Sequence, residues 1–251
     1  MTWARLLTLF LSLVFLCNQA FGYAFAVFGD NQGNYKVFGD LVSKLKKEKG
    51  LNFIISVGDL VPYGELLHYQ KARKMVDQLG FPFYMAMGNH DGVKGGWRNF
   101  LKYYGNFYYS FDYEGDRFIF LNNAFRESFD QAQFNWLKNE LKKEGARNKF
   151  VFMHKPIFDP SEIYKDHVMS GRAVGEELGR LFTRYRVNYV FTGHIHGYAR
   201  AERDGVTYIV SGGAGGKLHL PPDFGGFYHY VKMTVEREKI KEEVVKIYES
   251  D

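Results

Sequence analysis

Short apolar runs alternate along the first third of the chain with segments whose apolar residues recur at helical spacing. Three of these runs predict strands, and each stops at a glycine followed by a polar residue: 23–28, 53–57 and 81–87. Helical spacing predicts one helix over residues 37–50 and a second over residues 66–79. Three strand–helix steps in succession predict a parallel or mixed sheet with helices on both faces.

The rest of the chain continues this alternation and ends in a series of strands. Residues 92–107 are rich in Gly, Trp and Tyr and predict a long loop, whereas residues 131–144 and 175–185 predict helices. Further strands are predicted at 108–113, 117–121, 150–153, 189–192, 198–203, 206–210, 227–235 and 239–247. Turns are predicted at 114–116, Asp204-Gly205 and Glu238-Lys239. Without a repeat or a linker, the pattern predicts a single α/β domain over residues 23–251.

The N-terminus carries a different pattern. Arg5 precedes an apolar run from Leu6 to Cys17, and Ala20-Phe21-Gly22 follows as a small-x-small step. These features predict a secretory signal peptide over residues 1–22, cleaved after Gly22 or alternatively after Ala20. A buried N-terminal helix or an uncleaved anchor is the alternative, although the run is short for a span of roughly 20 residues. We therefore expect an exported protein, periplasmic or extracellular.

Composition narrows the class of protein. Of the 251 residues, 46% are hydrophobic and 24% charged, which is typical of a globular chain and not of a disordered one. The single cysteine excludes an internal disulfide and any cysteine-based zinc cluster. The net charge of +5 is not concentrated in a basic run, so no nucleic-acid partner is predicted.

Residues that can bind metals follow five of the predicted strands. They are Asp30, Asp59, Asn89, His154, His194 and His196. A single Gly-Asp after a strand is usually a turn, and a single histidine is usually packed or solvated. Because the carboxyl ends of strands in an open α/β sheet line one crevice, six such residues at successive strand ends are expected to converge.

The chemistry of this set predicts its metals and its reaction. Two Asp, one Asn and three His without Cys suit Mn, Fe or Zn and disfavour Cu(I) or an iron–sulfur cluster. Two cations held roughly 3.5–4 Å apart need an anionic bridge, which Asp59 can supply. Such a pair favours attack on phosphorus, because it lowers the pKa of a bound water and neutralises the phosphoryl oxygens.

Five short blocks contain these residues. They are Gly29-Asp30-Asn31-Gln32, Gly58-Asp59, Gly88-Asn89-His90-Asp91, His154 with Pro156, and Gly193-His194-Ile195-His196. In order and position they resemble the blocks of the calcineurin-like metallophosphoesterase superfamily, which includes purple acid phosphatases, phosphodiesterases and protein Ser/Thr phosphatases. The resemblance implies an α/β fold, a four-layer α/β/β/α sandwich with two mixed sheets, and a dinuclear metal centre at the strand ends.

The resemblance also implies a role for each metal-binding residue. Asp30 and His196 hold the first metal, Asp59 bridges, and the second metal is held by Asn89, His154 and His194. Where the superfamily usually has Asp-x-His in its first block, this chain has Gln32 at the third position. An amide oxygen is a weaker donor than imidazole, so we expect altered metal preference or affinity there, with loss of that metal as the alternative.

Catalytic roles are implied for the third block. His90 faces the leaving-group oxygen as general acid or charge stabiliser, oriented by a nearby carboxylate. Asp91 is the catalytic candidate for that carboxylate, although adjacency in sequence does not establish the contact. Purple acid phosphatases carry an iron-binding tyrosine three residues after the bridging aspartate, where this chain has Pro62. Tyr63, one residue further on, is therefore expected to be a wall residue.

Candidates for substrate binding lie beside the metal ligands. Lys155 directly follows His154 and could neutralise a phosphate, or could simply be solvated. Asn31, in the first block, and His219, on a later loop, are the other two candidates.

Two functions follow from these expectations. The first is an exported dinuclear-metal phosphoesterase that hydrolyses a phosphomonoester or phosphodiester by attack of a metal-bridging hydroxide, with a phosphorylated small molecule as substrate. The alternative is a non-catalytic protein that binds phosphate or another anion on the same scaffold, with a first metal position weakened by Gln32.

Overall fold

The computed structural model describes residues 22–237 and 239–248. The predicted signal peptide, apart from Gly22, and residue Glu238 of the last predicted turn lie outside the described residues. Within the described ranges, none of the helices combines the length and the apolar character needed to cross a bilayer.

The described residues form strands and helices in alternation. The strands are β1 (Tyr23–Phe28), β2 (Leu51–Ser56), β3 (Phe83–Met85), β4 (Tyr109–Tyr113), β5 (Asp116–Phe120), β6 (Lys149–Phe152), β7 (Tyr189–Thr192), β8 (Tyr198–Arg203), β9 (Val206–Ser211), β10 (His229–Glu236) and β11 (Lys239–Lys246). The helices are α1 (Tyr35–Leu45), α2 (Leu66–Val76), α3 (Asn89–Gly92), α4 (Trp97–Tyr104), α5 (Gln131–Lys142) and α6 (Arg172–Arg184).

Two mixed sheets result from the pairing of these strands. The first has the order β11-β10-β1-β2-β3, with β1, β2 and β3 parallel and β10 and β11 antiparallel to their neighbours. The second has the order β4-β5-β6-β7-β9-β8, with a parallel centre and antiparallel strands at both edges. The predicted pair of mixed sheets is therefore confirmed.

Alternation of side chains along β1 shows how the layers stack. Ala24, Ala26 and Phe28 pack with α1 and α2 on the outer face of the first sheet. Phe25 and Val27, which point the opposite way, pack against phenylalanines of the second sheet. The outer face of that sheet is covered by α5 and α6. The result is the predicted four-layer α/β/β/α sandwich.

The prediction of a long loop over residues 92–107 is wrong in part, because this segment contains helix α4. The backbone N–H of Phe100 donates to the Gly96 carbonyl at 2.8 Å, and Phe100 is fully buried. Gly105, at a φ of 86°, ends the helix. The helix could not be predicted from residue propensities, because its four aromatic residues and the glycines that flank it have low helix propensity. The predicted helices over 37–50 and 66–79 and the predicted strand over 81–87 are shorter in the structure.

The centre of the sandwich is a set of packed phenylalanine rings. Phe25 stacks on Phe53 with ring centroids 5.3 Å apart and meets Phe118 and Phe150 edge-on at 5.3 and 5.4 Å. None of the Phe25 side chain is exposed to solvent. Burial of this ring between the sheets therefore contributes strongly to the stability of the domain.

Phe25→Ala is expected to lower the free energy of unfolding by about 3–5 kcal/mol, because it leaves a cavity between two rigid sheets. Phe224, whose side chain is 62% exposed, is the matched control, and Phe224→Ala should change that free energy by no more than about 0.5 kcal/mol. Urea denaturation followed by circular dichroism measures both. Equal costs for the two variants would contradict the assigned core.

Candidate metal centre

The ends of parallel strands in both sheets bring the six predicted metal-binding residues together. They are Asp30 after β1, Asp59 after β2, Asn89 after β3, His154 after β6, and His194 and His196 after β7. The two sheets meet at this edge, where the backbone N–H of Ala214, after β9, donates to the carbonyl of Gly29, after β1, at 2.9 Å. The six residues converge as predicted.

Four potential ligand atoms surround a single point beside His154. Its Nε2 lies 3.1 Å from Asn89 Oδ1, 3.2 Å from His194 Nδ1 and 3.4 Å from Asp59 Oδ2. Its Nδ1 lies 2.9 Å from the Val57 carbonyl oxygen, which only accepts, so Nδ1 carries the ring proton. Nε2 therefore faces three other lone-pair atoms, and a shared cation satisfies all four.

A second group lies on the other side of Asp59. His196 Nδ1 is 2.7 Å from the Lys217 carbonyl, which leaves Nε2 to face Asp30 Oδ1 at 3.5 Å. The Gln32 amide nitrogen lies 3.1 Å from His196 Nε2 and 3.2 Å from Asp59 Oδ2. A half-turn of that amide exchanges its nitrogen for its oxygen at the same position, so Gln32 can present a ligand atom there.

Burial and charge give the two histidines of this group different protonation states. Burial, together with the neighbouring His154, lowers the pKa of His194 to about 2, so the His194 ring is neutral. Burial works in the opposite direction to the Asp59 carboxylate at His154, and the carboxylate prevails and raises the pKa of His154. A cation that binds at neutral pH therefore takes the place of a proton on His154.

The backbone of the ligand loops is strained. Asp30, Asp59 and His194 adopt φ angles of 63°, 54° and 67°, in the left-handed region that costs a non-glycine residue about 1–2 kcal/mol each. The glycines beside them are required by close approach, since a Cβ at Gly88 would lie 2.2 Å from Asp59 Oδ1 and one at Gly193 would lie 2.3 Å from Asp30 Oδ2. Strain of this kind concentrates at functional sites.

The expected pairing of His90 with Asp91 is wrong. His90 Nδ1 lies 2.7 Å from the Pro62 carbonyl oxygen, so a carbonyl rather than a carboxylate orients the ring. Asp91 is fully buried and accepts three backbone hydrogen bonds, from Asp59 at 2.8 Å, Gly88 at 2.9 Å and Val61 at 3.2 Å. Successive side chains on α3 point in different directions, which separates the two. Asp91 is a positioning residue for the loop that carries Asp59.

The three substrate-binding candidates lie in different surroundings. Asn31 is fully buried and donates to the Leu60 carbonyl at 2.8 Å, so it does not face a substrate, and that candidate is wrong. Lys155 is half-buried, and burial lowers the pKa of its ammonium group. His219 stacks on His196 with centroids 4.0 Å apart, and its Nδ1 accepts the His196 backbone N–H at 3.2 Å.

Tyr63 lines the edge of the site, as expected for a wall residue. Its side chain is 47% exposed, and its ring lies 6.3 Å from that of His90.

The model of the family described as calcineurin-like phosphoesterase matches residues 23–198, which contain every residue of the centre. The chain belongs to the calcineurin-like phosphoesterase family. The predicted resemblance is confirmed.

Several curated proteins that are similar in sequence to this chain are named phosphatases. The chain is 30% identical over 210 residues to the serine/threonine-protein phosphatase CPPED1 of Danio rerio, covering 74% of this chain and 65% of that protein. It is 30% identical over 163 residues to CPPED1 of Rattus norvegicus, covering 59% and 52%. It is 32% identical over 130 residues to purple acid phosphatase 23 of Arabidopsis thaliana, covering 47% and 28%. The matches thus span from 28% to 65% of these relatives' own lengths.

Solved structures share the fold at low sequence identity. The purple acid phosphatase PPD1 of yellow lupin superposes with a TM-score of 0.75 at 17% identity, over 91% of this chain and 52% of that one. A dimetal phosphatase of Danio rerio superposes with a TM-score of 0.70 at 14% identity, over 90% and 97%. The fold is therefore that of the phosphoesterase family.

Asn123, which no sequence motif singled out, fixes the loop after β6. Its Oδ1 accepts the backbone N–H groups of His154 and Lys155, both at 3.0 Å, and its Nδ2 donates to the Lys155 carbonyl at 2.7 Å. Asn123 is 1% exposed. Its position just after β5, at the same strand edge as the ligands, is the signal that could have identified it.

Asp91→Asn is expected to lower the free energy of unfolding by about 1–3 kcal/mol and to weaken metal retention, because an amide group then meets buried N–H donors. Asp130 is the matched control, since it caps α5 by accepting the Gln133 N–H, and asparagine caps a helix equally well. Urea denaturation and metal analysis after dialysis measure both effects. If Asp91→Asn behaves like Asp130→Asn, the positioning role is wrong.

Proposed function

We propose that the chain is an exported phosphoesterase that binds two metal ions and hydrolyses a phosphomonoester or phosphodiester of a small molecule. The observation that carries this proposal is the position of Asp59 Oδ2. It lies 3.4 Å from His154 Nε2 on one side and 3.2 Å from the Gln32 amide on the other. One carboxylate oxygen thus faces both groups of ligand atoms, as a bridge between two cations requires.

The donor set fits Mn, Fe or Zn. Carboxylate, amide and imidazole groups without thiolates suit borderline-hard cations, and the residues for the first metal would be Asp30, Gln32, Asp59 and His196. The second would be held by Asp59, Asn89, His154 and His194, of which Asp59, His154 and His194 offer atoms within 4.8 Å of one another. When bound, the metals activate water and neutralise charge on the phosphoryl oxygens.

His90 is proposed to protonate the leaving group. The Pro62 carbonyl keeps the proton on Nδ1, so Nε2 is the ring atom that can exchange a proton with the cleft. When water attacks phosphorus, the bond to the leaving oxygen breaks, and the protonated Nε2 gives its proton to that oxygen. No covalent phosphoenzyme forms in this scheme.

Lys155 and His219 are proposed to contact the substrate. The half-buried ammonium group of Lys155 lies close enough to Asp59 to be influenced by its charge, so it can pair with a phosphoryl oxygen. His219 accepts at Nδ1, so its neutral ring carries the proton on Nε2 and offers a hydrogen-bond donor. The apolar leader over residues 1–22 supports export of the domain.

A binding protein without turnover is the second candidate, and Gln32 is the observation that favours it. An amide holds a cation more weakly than the histidine usual at this position, so the first metal could be lost while an anion still binds. The assay below separates the candidates, because phosphate binding without hydrolysis under every metal supports the binding protein.

Asp59→Asn is expected to lower hydrolysis about a hundredfold or more, because the bridge between the cations loses its charge. The assay uses p-nitrophenyl phosphate and bis-p-nitrophenyl phosphate with Mn, Fe, Zn or Co added to the dialysed protein. Asp77→Asn, an exposed change of the same chemistry at the end of α2, should retain full activity. Undiminished activity in a folded Asp59→Asn protein would refute the dinuclear mechanism.

His90→Ala is expected to slow alkyl phosphates more than p-nitrophenyl phosphate, by about 10²–10⁴-fold for the alkyl ester, because p-nitrophenolate leaves without a proton. The measurement is the ratio of kcat values for the two substrates in wild type and variant. His68→Ala, a surface histidine paired with Glu65, is the control. An equal loss on both substrates would assign His90 to charge stabilisation instead of proton transfer.

A further inference from the structure

A cleft of about 370 Å³ lies at the edge of the second sheet opposite to the metal centre. It opens between the C-terminal ends of α5 and α6, beside the start of β6. Lys149 is the first residue of β6 and His154 lies beyond its last residue, so about 16 Å of extended chain separates the cleft from the centre. The basic residues that line the cleft are Lys142, Lys143, Arg147, Lys149, Arg184 and Arg186.

Most of these positive charges have no counter-ion. Lys143 pairs with Glu140 at 2.5 Å, and Arg147 Nε lies 3.5 Å from Asp116. Glu144 is the acidic residue in the lining. Among the residues that the structure describes, no ion-pair partner meets the other four: Lys142, Lys149, Arg184 and Arg186. The cleft therefore carries an excess of positive charge.

Lys149 is the innermost of these cations. It is half-buried, and its Nζ donates to the Tyr185 carbonyl at 2.9 Å. Burial lowers the pKa of its ammonium group, and the positive charges of Arg117 and Arg186 lower it further. An anion in the cleft would offset this repulsion. Lys142 and Arg184 lie in the last turns of α5 and α6, where the partial negative charge of the helix end stabilises a cation. Lys149 and Arg186 lie outside the helices, so this effect does not explain them.

Arg186 occupies a backbone position that suits glycine. It follows the end of α6 at a φ of 53°, and its N–H donates to the Thr183 carbonyl at 3.1 Å. The N–H of Val187 donates to the Phe182 carbonyl at 2.9 Å, which completes a Schellman motif. A side chain is disfavoured in this left-handed conformation, whereas glycine adopts it freely. The chain thus carries an arginine, at a position that favours glycine, on the rim of a cationic cleft.

We propose that this cleft binds a multivalent oxyanion of the phosphate type at a site separate from the metal centre. Guanidinium groups match the oxygens of such anions with paired hydrogen bonds, and Lys149 supplies a point charge at the base. The anion is either free in solution or the headgroup of an anionic lipid, and both present the same group to the cleft.

The experiment exploits the strain at Arg186. Arg186→Gly removes the charge and relieves the backbone, so binding should weaken while resistance to urea rises. Arg237→Gly is the matched control, because Arg237 has a φ of 55° and lies in the turn after β10, outside the cleft lining. Both variants and wild type, loaded with Mn²⁺, are titrated with inorganic sulfate by calorimetry and sedimented with vesicles of equimolar phosphatidylcholine and phosphatidylglycerol.

A loss of about tenfold in sulfate affinity in Arg186→Gly alone, with unchanged hydrolysis of p-nitrophenyl phosphate, supports a site for a free anion. Loss of vesicle binding without a change in sulfate binding supports the lipid headgroup. Equal binding of Arg186→Gly and Arg237→Gly in both arms overturns the proposal. If Arg186→Gly proves less stable, Lys149→Met decides, and undiminished binding in that variant overturns the proposal as well. Failure of the metal centre would leave the cleft's sulfate binding intact, so the two proposals fail separately.

Discussion

Three lone-pair atoms lie within 3.1–3.4 Å of His154 Nε2, and the repulsion among these groups is the constraint on which the rest of the site depends. Such an arrangement persists only if a cation relieves it or if the surrounding structure enforces it. The enforcement is visible in the strained backbone at Asp30, Asp59 and His194. It is visible too in the buried side chains of Asp91 and Asn123, which accept backbone N–H groups of the loops that carry Asp59 and His154. Stability of the sandwich core offsets the strain of its edge.

Much of this architecture could be predicted because buried strands and their ends leave a strong pattern in the sequence. The apolar runs identified the strands that carry the metal ligands, and the polar residues after them identified the centre. Helix α4 was not predicted, because its aromatic residues have low helix propensity. The helix forms nevertheless, because it buries Phe100 in the core. Asp91 and Asn31 were assigned to the cleft because sequence cannot tell which way a side chain turns at a strand end, and both turn inward.

The two edges of the second sheet have opposite chemical character. At the carboxyl edge, aspartates and histidines form a centre suited to cations. At the amino edge, Lys149 and Arg186 belong to a cluster of uncompensated positive charge suited to anions. The parallel strands between them hold both clusters at a fixed separation, so one rigid domain offers two sites of contrasting charge. Membership of the phosphoesterase family accounts for the first site, while the proposed second site is formed by residues outside the five sequence blocks.

The proposed reaction requires two cations that share Asp59 between the ligand group around His154 and the group around His196. Anomalous diffraction from crystals grown with Mn²⁺ would locate those cations. Two peaks roughly 3.5–4 Å apart are expected, one beside His154 and the other beside His196, with Asp59 between them. A single peak, or peaks away from Asp59, would refute the shared bridge.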